Sequence, residues 1–272
     1  MDLIKSKIEH KVLEKEGYAI HYFVSGDKSK ETIIFLHPAF ADHWCFAKQI
    51  DFFSRNYQVI TVDLLGHGLS QVGKAKAKID SSAEHIEEIL KIEERKNAHI
   101  VGVSMGSLLA QYFALKHPER VLSLTVLGGY NINKENKELA KAQRKEIFKW
   151  LFKMIFSMDA FRKYVASVSL IDKAEQVRFF ESASLFTRRS FVVMSGLGKI
   201  ISRRENGQQP FPLLILSGEK DLALALKTSA EWHKEIKGSR FYIIEKAGHC
   251  ANMDNSAKFN EILLNFVRFG NA

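Results

Sequence analysis

A doubly wound, mostly parallel α/β sheet is the fold that the sequence predicts, and three features point to it. Short β-prone apolar runs alternate with helix-length segments along most of the chain, the pattern of repeated strand–helix–strand units. Those runs are continuously apolar, which suits strands covered on both faces by helices. The alternation breaks once, over residues 131–206, where only helical segments occur and strands resume afterwards.

In chain order, IEHKVLEKE and YAIHYFVSG flank a glycine-containing turn and read as an antiparallel hairpin at one sheet edge. TIIFL, YQVITVDL, AHIVGVS and VLSLTVLGG follow as strands, and LLILSG and RFYIIE complete the sheet. Between them, residues 81–95 place Ile86, Ile89 and Leu90 at helical spacing among charges, and residues 107–116 read as a second helix. The interruption carries KENKELAKAQRKEIFKWLFKMIFSM, DAFRKYVASVS, KAEQVRFFESASLF and TRRSFVVMSGLGKII, all of helical pattern. Within KWLFKMIFSM, Trp150, Leu151, Met154, Ile155 and Met158 recur at helical spacing and are expected to pack over the core. The chain thus divides into a core of residues 1–130 and 207–272 and an inserted helical unit of residues 131–206.

With 272 residues, 46% of them hydrophobic and only four prolines, the chain has ample material for one core and no disordered character. Its two cysteines cannot build a disulfide framework, and MDLIKSKIEHKV is charged where a secretory signal needs an apolar run; a cytoplasmic setting is expected. Even the greasiest segment carries Lys149 and Lys153, so stable membrane insertion is not expected. The net charge of +9 is scattered, which reads as a solvated basic surface and not as a nucleic-acid site. No HExxH, clustered acid–histidine spacing or phosphate-cradling G-x-x-x-x-G-K occurs, so neither metal nor cofactor is expected.

The chemistry concentrates at three strand ends. After AHIVGV, Gly102-Val103-Ser104-Met105-Gly106 is G-x-S-x-G between a strand and a helix. A serine in such a strained turn presents its hydroxyl, and side chains at 102 and 106 would collide with neighbouring backbone. A hydroxyl needs a base, and the base an orienting acid. His249 lies in a glycine-containing loop just past RFYIIE, and Asp221 follows LLILSG; the order Ser, Asp, His is the one this architecture uses. Asp63 is a rival acid, while His37, His43 and His67 read as turn or packing residues. Cys250 reads as a small buried apolar residue.

LHPAFADHW, DLLGHGLS, GVSMG, SGEKD and AGHC, in this order over almost the full length, resemble the α/β-hydrolase family. The resemblance implies Ser104 as nucleophile, His249 as general base and then acid, Asp221 as orienting carboxylate, and the helical unit as a substrate-selecting cap. Phe40, Trp150 and Met154 are then expected to line an apolar acyl site, with a small-molecule acyl compound as substrate. The family usually has His-Gly after the first parallel strand, whereas this chain has His37-Pro38. Proline offers no N–H, so the implied oxyanion-hole donors are the backbone N–H groups of Ala39 and Met105.

A serine at the elbow argues against the dehalogenases and epoxide hydrolases of this fold, which use aspartate there. Hydrolysis of an ester, thioester or lactone is the leading expectation. Two alternatives stand beside it: a lyase or carbon–carbon bond hydrolase holding an anionic substrate through Arg178, Arg188 or Arg189, and a ligand receptor of the same fold. Oligomeric state is left open.

Overall fold

The computed structural model describes residues 7–134, 137–201 and 210–270. Eight strands make one sheet: β1 (Glu9–Lys15), β2 (Tyr18–Ser25), β3 (Thr32–Leu36), β4 (Gln58–Val62), β5 (Ala98–Val103), β6 (Val121–Leu127), β7 (Leu213–Gly218) and β8 (Arg240–Ile244). Their spatial order is β1-β2-β4-β3-β5-β6-β7-β8. The predicted hairpin forms the β1 edge, paired antiparallel from Glu9↔Val24 to Lys15↔Tyr18, with Gly17 turning at φ +79°. β2 meets β4 antiparallel, and all later pairings are parallel.

The apolar runs explain this arrangement. Every residue of β3, β4, β5 and β7 is buried, because helices cover both faces. Those helices are α1 (Ala47–Phe53), α2 (Ser82–Ile92), α3 (Met105–Lys116) and, after the helical unit, α9 (Ala223–Glu235) and α11 (Ser256–Phe269). Phe35 of β3 packs on Phe46 and on Phe53 of α1, anchoring that helix to the sheet centre.

Between β6 and β7 run α4 (Lys137–Phe156), α5 (Met158–Ser169), α6 (Lys173–Ser182), α7 (Arg188–Met194) and α8 (Leu197–Ile200). The chain resumes with β7, α9 (Ala223–Glu235), β8, the short α10 (Ala251–Asp254) and α11 (Ser256–Phe269). The boundary expected at residues 206–207 lies outside the described residues. No helix among the described residues is long and apolar enough to cross a membrane.

One expectation changes. Trp150 and Met154 turn inward, but Leu151 and Ile155 are 42% and 69% exposed. One residue along a helix rotates the side chain by about 100°, so neighbours one apart cannot share an inward face. Met158 belongs to the next helix, because the Ser157 hydroxyl accepts from the Ala160 N–H and caps α5.

Candidate active site

The parallel strands β3 to β8 deliver their following loops to one edge, and those after β3, β5, β7 and β8 carry the candidate residues. Ser104 follows β5 at φ 52° and ψ −115°, a conformation that L-residues rarely adopt. Its two glycines are steric requirements. A Cβ at 102 would lie 2.3 Å from the Gly106 carbonyl oxygen, and one at 106 only 2.1 Å from that of Leu36 and 2.7 Å from that of His37. The second approach presses the start of α3 against the loop that carries Ala39. Met105 and Gly106 open α3, where N–H groups have no carbonyl of a preceding turn to bond.

His249 Nδ1 lies 3.0 Å from each Asp221 carboxylate oxygen, and His249 Nε2 lies 2.7 Å from Ser104 Oγ. Asp221 accepts from Nδ1–H, which leaves Nε2 with a lone pair toward the serine hydroxyl. The Asp221 side chain is 1% exposed and that of His249 is 25% exposed, so the imidazole is reachable while its partner is not. Burial disfavours charge on both, yet each supports the other: the His249 pKa is raised above its ordinary value and that of Asp221 is lowered. Leu222 N–H also donates to Asp221 at 2.7 Å.

Glycine again allows the approach of the strand end after β6. Gly128, following β6, would with a Cβ come 2.9 Å from the His249 ring, and a Cβ on Gly129 would overlap Ser107 Oγ. The strand lying between the serine and acid strands therefore ends without side chains.

Asp63 serves a different assembly. It is fully buried and accepts from His43 N–H and Nδ1–H and from Leu69 N–H at 2.8–2.9 Å, so it ties the β3 and β4 loops together. Burial works against its charge, but His43 holds its pKa below the ordinary carboxylate value. His37 and His67 are buried and their pKa values fall to about 4 and about 3, because burial disfavours their charged forms. Cys250 is buried, which pushes its thiol pKa up.

Phe40 is 3% exposed and makes edge-on contacts with Trp150, Phe161 and Phe186 at centroid distances of 4.9–5.1 Å. Together with buried Met154 this seals the seam between the loop after β3 and the helical unit. Arg178, Arg188 and Arg189 are exposed. Arg178 pairs with Glu175, and Arg188 donates to the Met154 carbonyl.

Two residues that sequence reasoning missed lock the same edge. Asp42 exchanges hydrogen bonds with Ser182 of α6. Asp254 accepts from Gly248 N–H at 2.7 Å and from Ile171 and Asp172 N–H at 3.0–3.2 Å, joining the His249 loop to the α5–α6 link. Cys250 N–H adds a bond to the Ser169 carbonyl at 2.9 Å. Asp254 sits five residues beyond His249, the only signal available in the sequence.

The sheet order and this strand-end edge are those of the α/β-hydrolase fold. The family model for that fold matches residues 31–157. Among curated relatives, 3-oxoadipate enol-lactonase 1 of Acinetobacter baylyi is 24% identical over 94% of this chain and 96% of its own. The 2-hydroxy-6-oxononadienedioate/2-hydroxy-6-oxononatrienedioate hydrolase of Paraburkholderia phymatum is 24% identical over 91% and 90%. Among solved structures, a carboxylesterase of the thaumarchaeon Nitrososphaera gargenis superposes with a TM-score of 0.82 at 18% identity, covering 96% of this chain and 99% of that one.

Proposed function

We propose that this protein is a serine hydrolase that cleaves a carboxylic ester, thioester or lactone through an acyl-enzyme. The observation that carries this reading is the unbroken hydrogen-bond chain from Asp221 through His249 to Ser104 at a strained turn. Ser104 Oγ attacks the substrate carbonyl carbon while His249 Nε2 takes its proton, giving a tetrahedral oxyanion. The Ala39 and Met105 N–H groups stabilise that oxyanion. Collapse expels the leaving group, which takes the proton from His249. Water, deprotonated by His249, then attacks the acyl carbon and releases the acid and the free serine. Residues between β6 and β7 act as the cap, and Phe40, Trp150 and Met154 favour an apolar acyl group.

A relative named as a hydrolase of oxo-dioates keeps a carbon–carbon bond hydrolase acting on an anionic substrate as a second reading. The exposure of Arg178, Arg188 and Arg189 favours the first. A panel of p-nitrophenyl esters of graded acyl length tests it: turnover is expected and Ser104→Ala abolishes it. Equal rates in wild type and variant would remove Ser104 as nucleophile. Inhibition of ester turnover by small dicarboxylates would favour the second reading.

A further inference from the structure

His37 begins the loop after β3, and its ring is completely buried. Its Nε2 lies 2.9 Å from the Leu64 backbone nitrogen, which can only donate. Nε2 must therefore accept, and the neutral ring carries its proton on Nδ1. Nδ1 lies 2.7 Å from the carbonyl oxygen of the next residue, Pro38, so Nδ1–H donates to it. That carbonyl shares a peptide plane with the Ala39 N–H, and among the described residues no peptide bond is cis. In a trans peptide the C=O and N–H point in opposite directions.

Sheet order sets what those directions are. β3 lies between β4 and β5, and Leu64 follows β4. The Pro38 carbonyl, held through the His37 ring, faces the β4 side. The Ala39 N–H accordingly faces the β5 side, where Ser104 follows the strand and Met105 opens α3. The contact is indifferent to the missing N–H of proline, because it uses only the carbonyl.

We propose that His37 is a positioning residue: by anchoring the Pro38 carbonyl to the end of β4 it aims the Ala39 N–H as the second oxyanion donor. The role rests on the serine-hydrolase reading above. His37 touches no reacting atom and acts wholly through one peptide plane.

Two substitutions separate its halves. His37→Asn places an amide nitrogen where Nδ1 stood and keeps a donor for Pro38. His37→Gln places an amide where Nε2 stood, keeping an acceptor for Leu64 and losing that donor. Removing an oxyanion donor outright costs ~10²–10³-fold in kcat, so misaiming one by His37→Gln should cost roughly 10- to 100-fold. KM should stay within about twofold, and affinity for a phenylboronic acid, whose tetrahedral adduct mimics the oxyanion, should weaken in the same proportion as kcat. His37→Asn should retain kcat within about threefold.

A normal kcat in His37→Gln overturns the proposal. So does equal impairment of both variants with a matching loss of thermal stability, the mark of a packing role. Nitrogen-15 NMR of the wild-type imidazole needs no variant: protonated Nδ1 with bare Nε2 supports the assignment, and the reverse tautomer sinks it. Ester turnover and boronate binding that survive Ser104→Ala would overturn the hydrolase reading and this role with it. Loss of both in Ser104→Ala beside an unimpaired His37→Gln overturns the role alone.

Discussion

Asp42 and Ser182, 140 positions apart, hydrogen-bond to each other twice: the Asp42 N–H donates to Ser182 Oγ at 2.9 Å, and that hydroxyl donates to Asp42 Oδ1 at 2.5 Å. Both residues are buried. Asp42 also accepts from the Trp44 N–H and starts the helical turn that follows the loop. The loop bearing Ala39 is thereby fastened to α6. Ser182→Ala strands a buried N–H and half of a carboxylate, a loss of about 1–3 kcal/mol. At roughly 2–4 °C per kcal/mol for a chain of this size, a measurable fall in Tm is expected. Because the fastened loop carries the proposed oxyanion donor, kcat should fall more than KM rises; a lower Tm with wild-type kcat would leave the pair purely structural.

In the proposed mechanism the raised pKa of His249 sets the acid limb of the pH profile. Asp221 favours the imidazolium against the opposing effect of burial, so the folded pKa lies above 6.5. Only the neutral ring accepts the serine proton, so activity is lost as pH falls through that raised value. The acid limb of kcat/KM should therefore have its midpoint above 6.5, the ordinary histidine value. A midpoint below it would contradict the pairing.

Asp221→Asn and Asp63→Asn should part company. The first removes the acceptor that fixes the His249 tautomer and should lower kcat by up to ~10⁴-fold, as in the serine protease triad, with little change in Tm. The second disturbs the buried junction of His43 and Leu69 and should lower Tm while leaving the His249 pKa nearly in place. Reversal of these outcomes, read by kinetics and thermal melts on the two variants, would make Asp63 the orienting acid.

Pro38→Gly keeps the carbonyl that His37 holds and removes only the restraint on φ. Greater freedom of the unfolded chain should cost about 0.4–1 kcal/mol of stability. If ring closure pre-organises the loop, kcat falls by a few-fold with KM nearly constant. An unchanged kcat would show that the His37 contact suffices by itself.

The strands were legible because burial on both faces leaves continuous apolar runs: LLILSG coincides with β7 residue for residue. The Ser104, Asp221 and His249 strand-end positions were legible for a related reason, since a strained serine turn demands glycine on both sides and parallel strands bring successive loops to one edge. Contacts that depend on folded proximity left no such trace. Ser182 reads as a helix-terminal polar residue until α6 meets the loop of Asp42. Helical spacing also misled at Leu151 and Ile155, because five apolar residues in a run occupy more of a helix than its inward stripe can hold. His37 looked like a turn residue, which it is; the direction in which it turns a peptide plane depends on the neighbouring strand.

β6 and β7 stay in register, Leu124 against Leu213, although five helices of the described residues lie between them in the chain. That makes the helical unit transplantable. A foreign unit of another length can enter at the same seam while the paired strands keep their backbone ladder, since longer loops add little closure entropy. Two adaptors must travel with any graft: a hydroxyl for Asp42, and a pair of backbone N–H groups for Asp254. On the proposed cap role, an exchange that keeps those two fastenings changes which compounds are admitted and leaves the edge of Ser104, Asp221 and His249 intact.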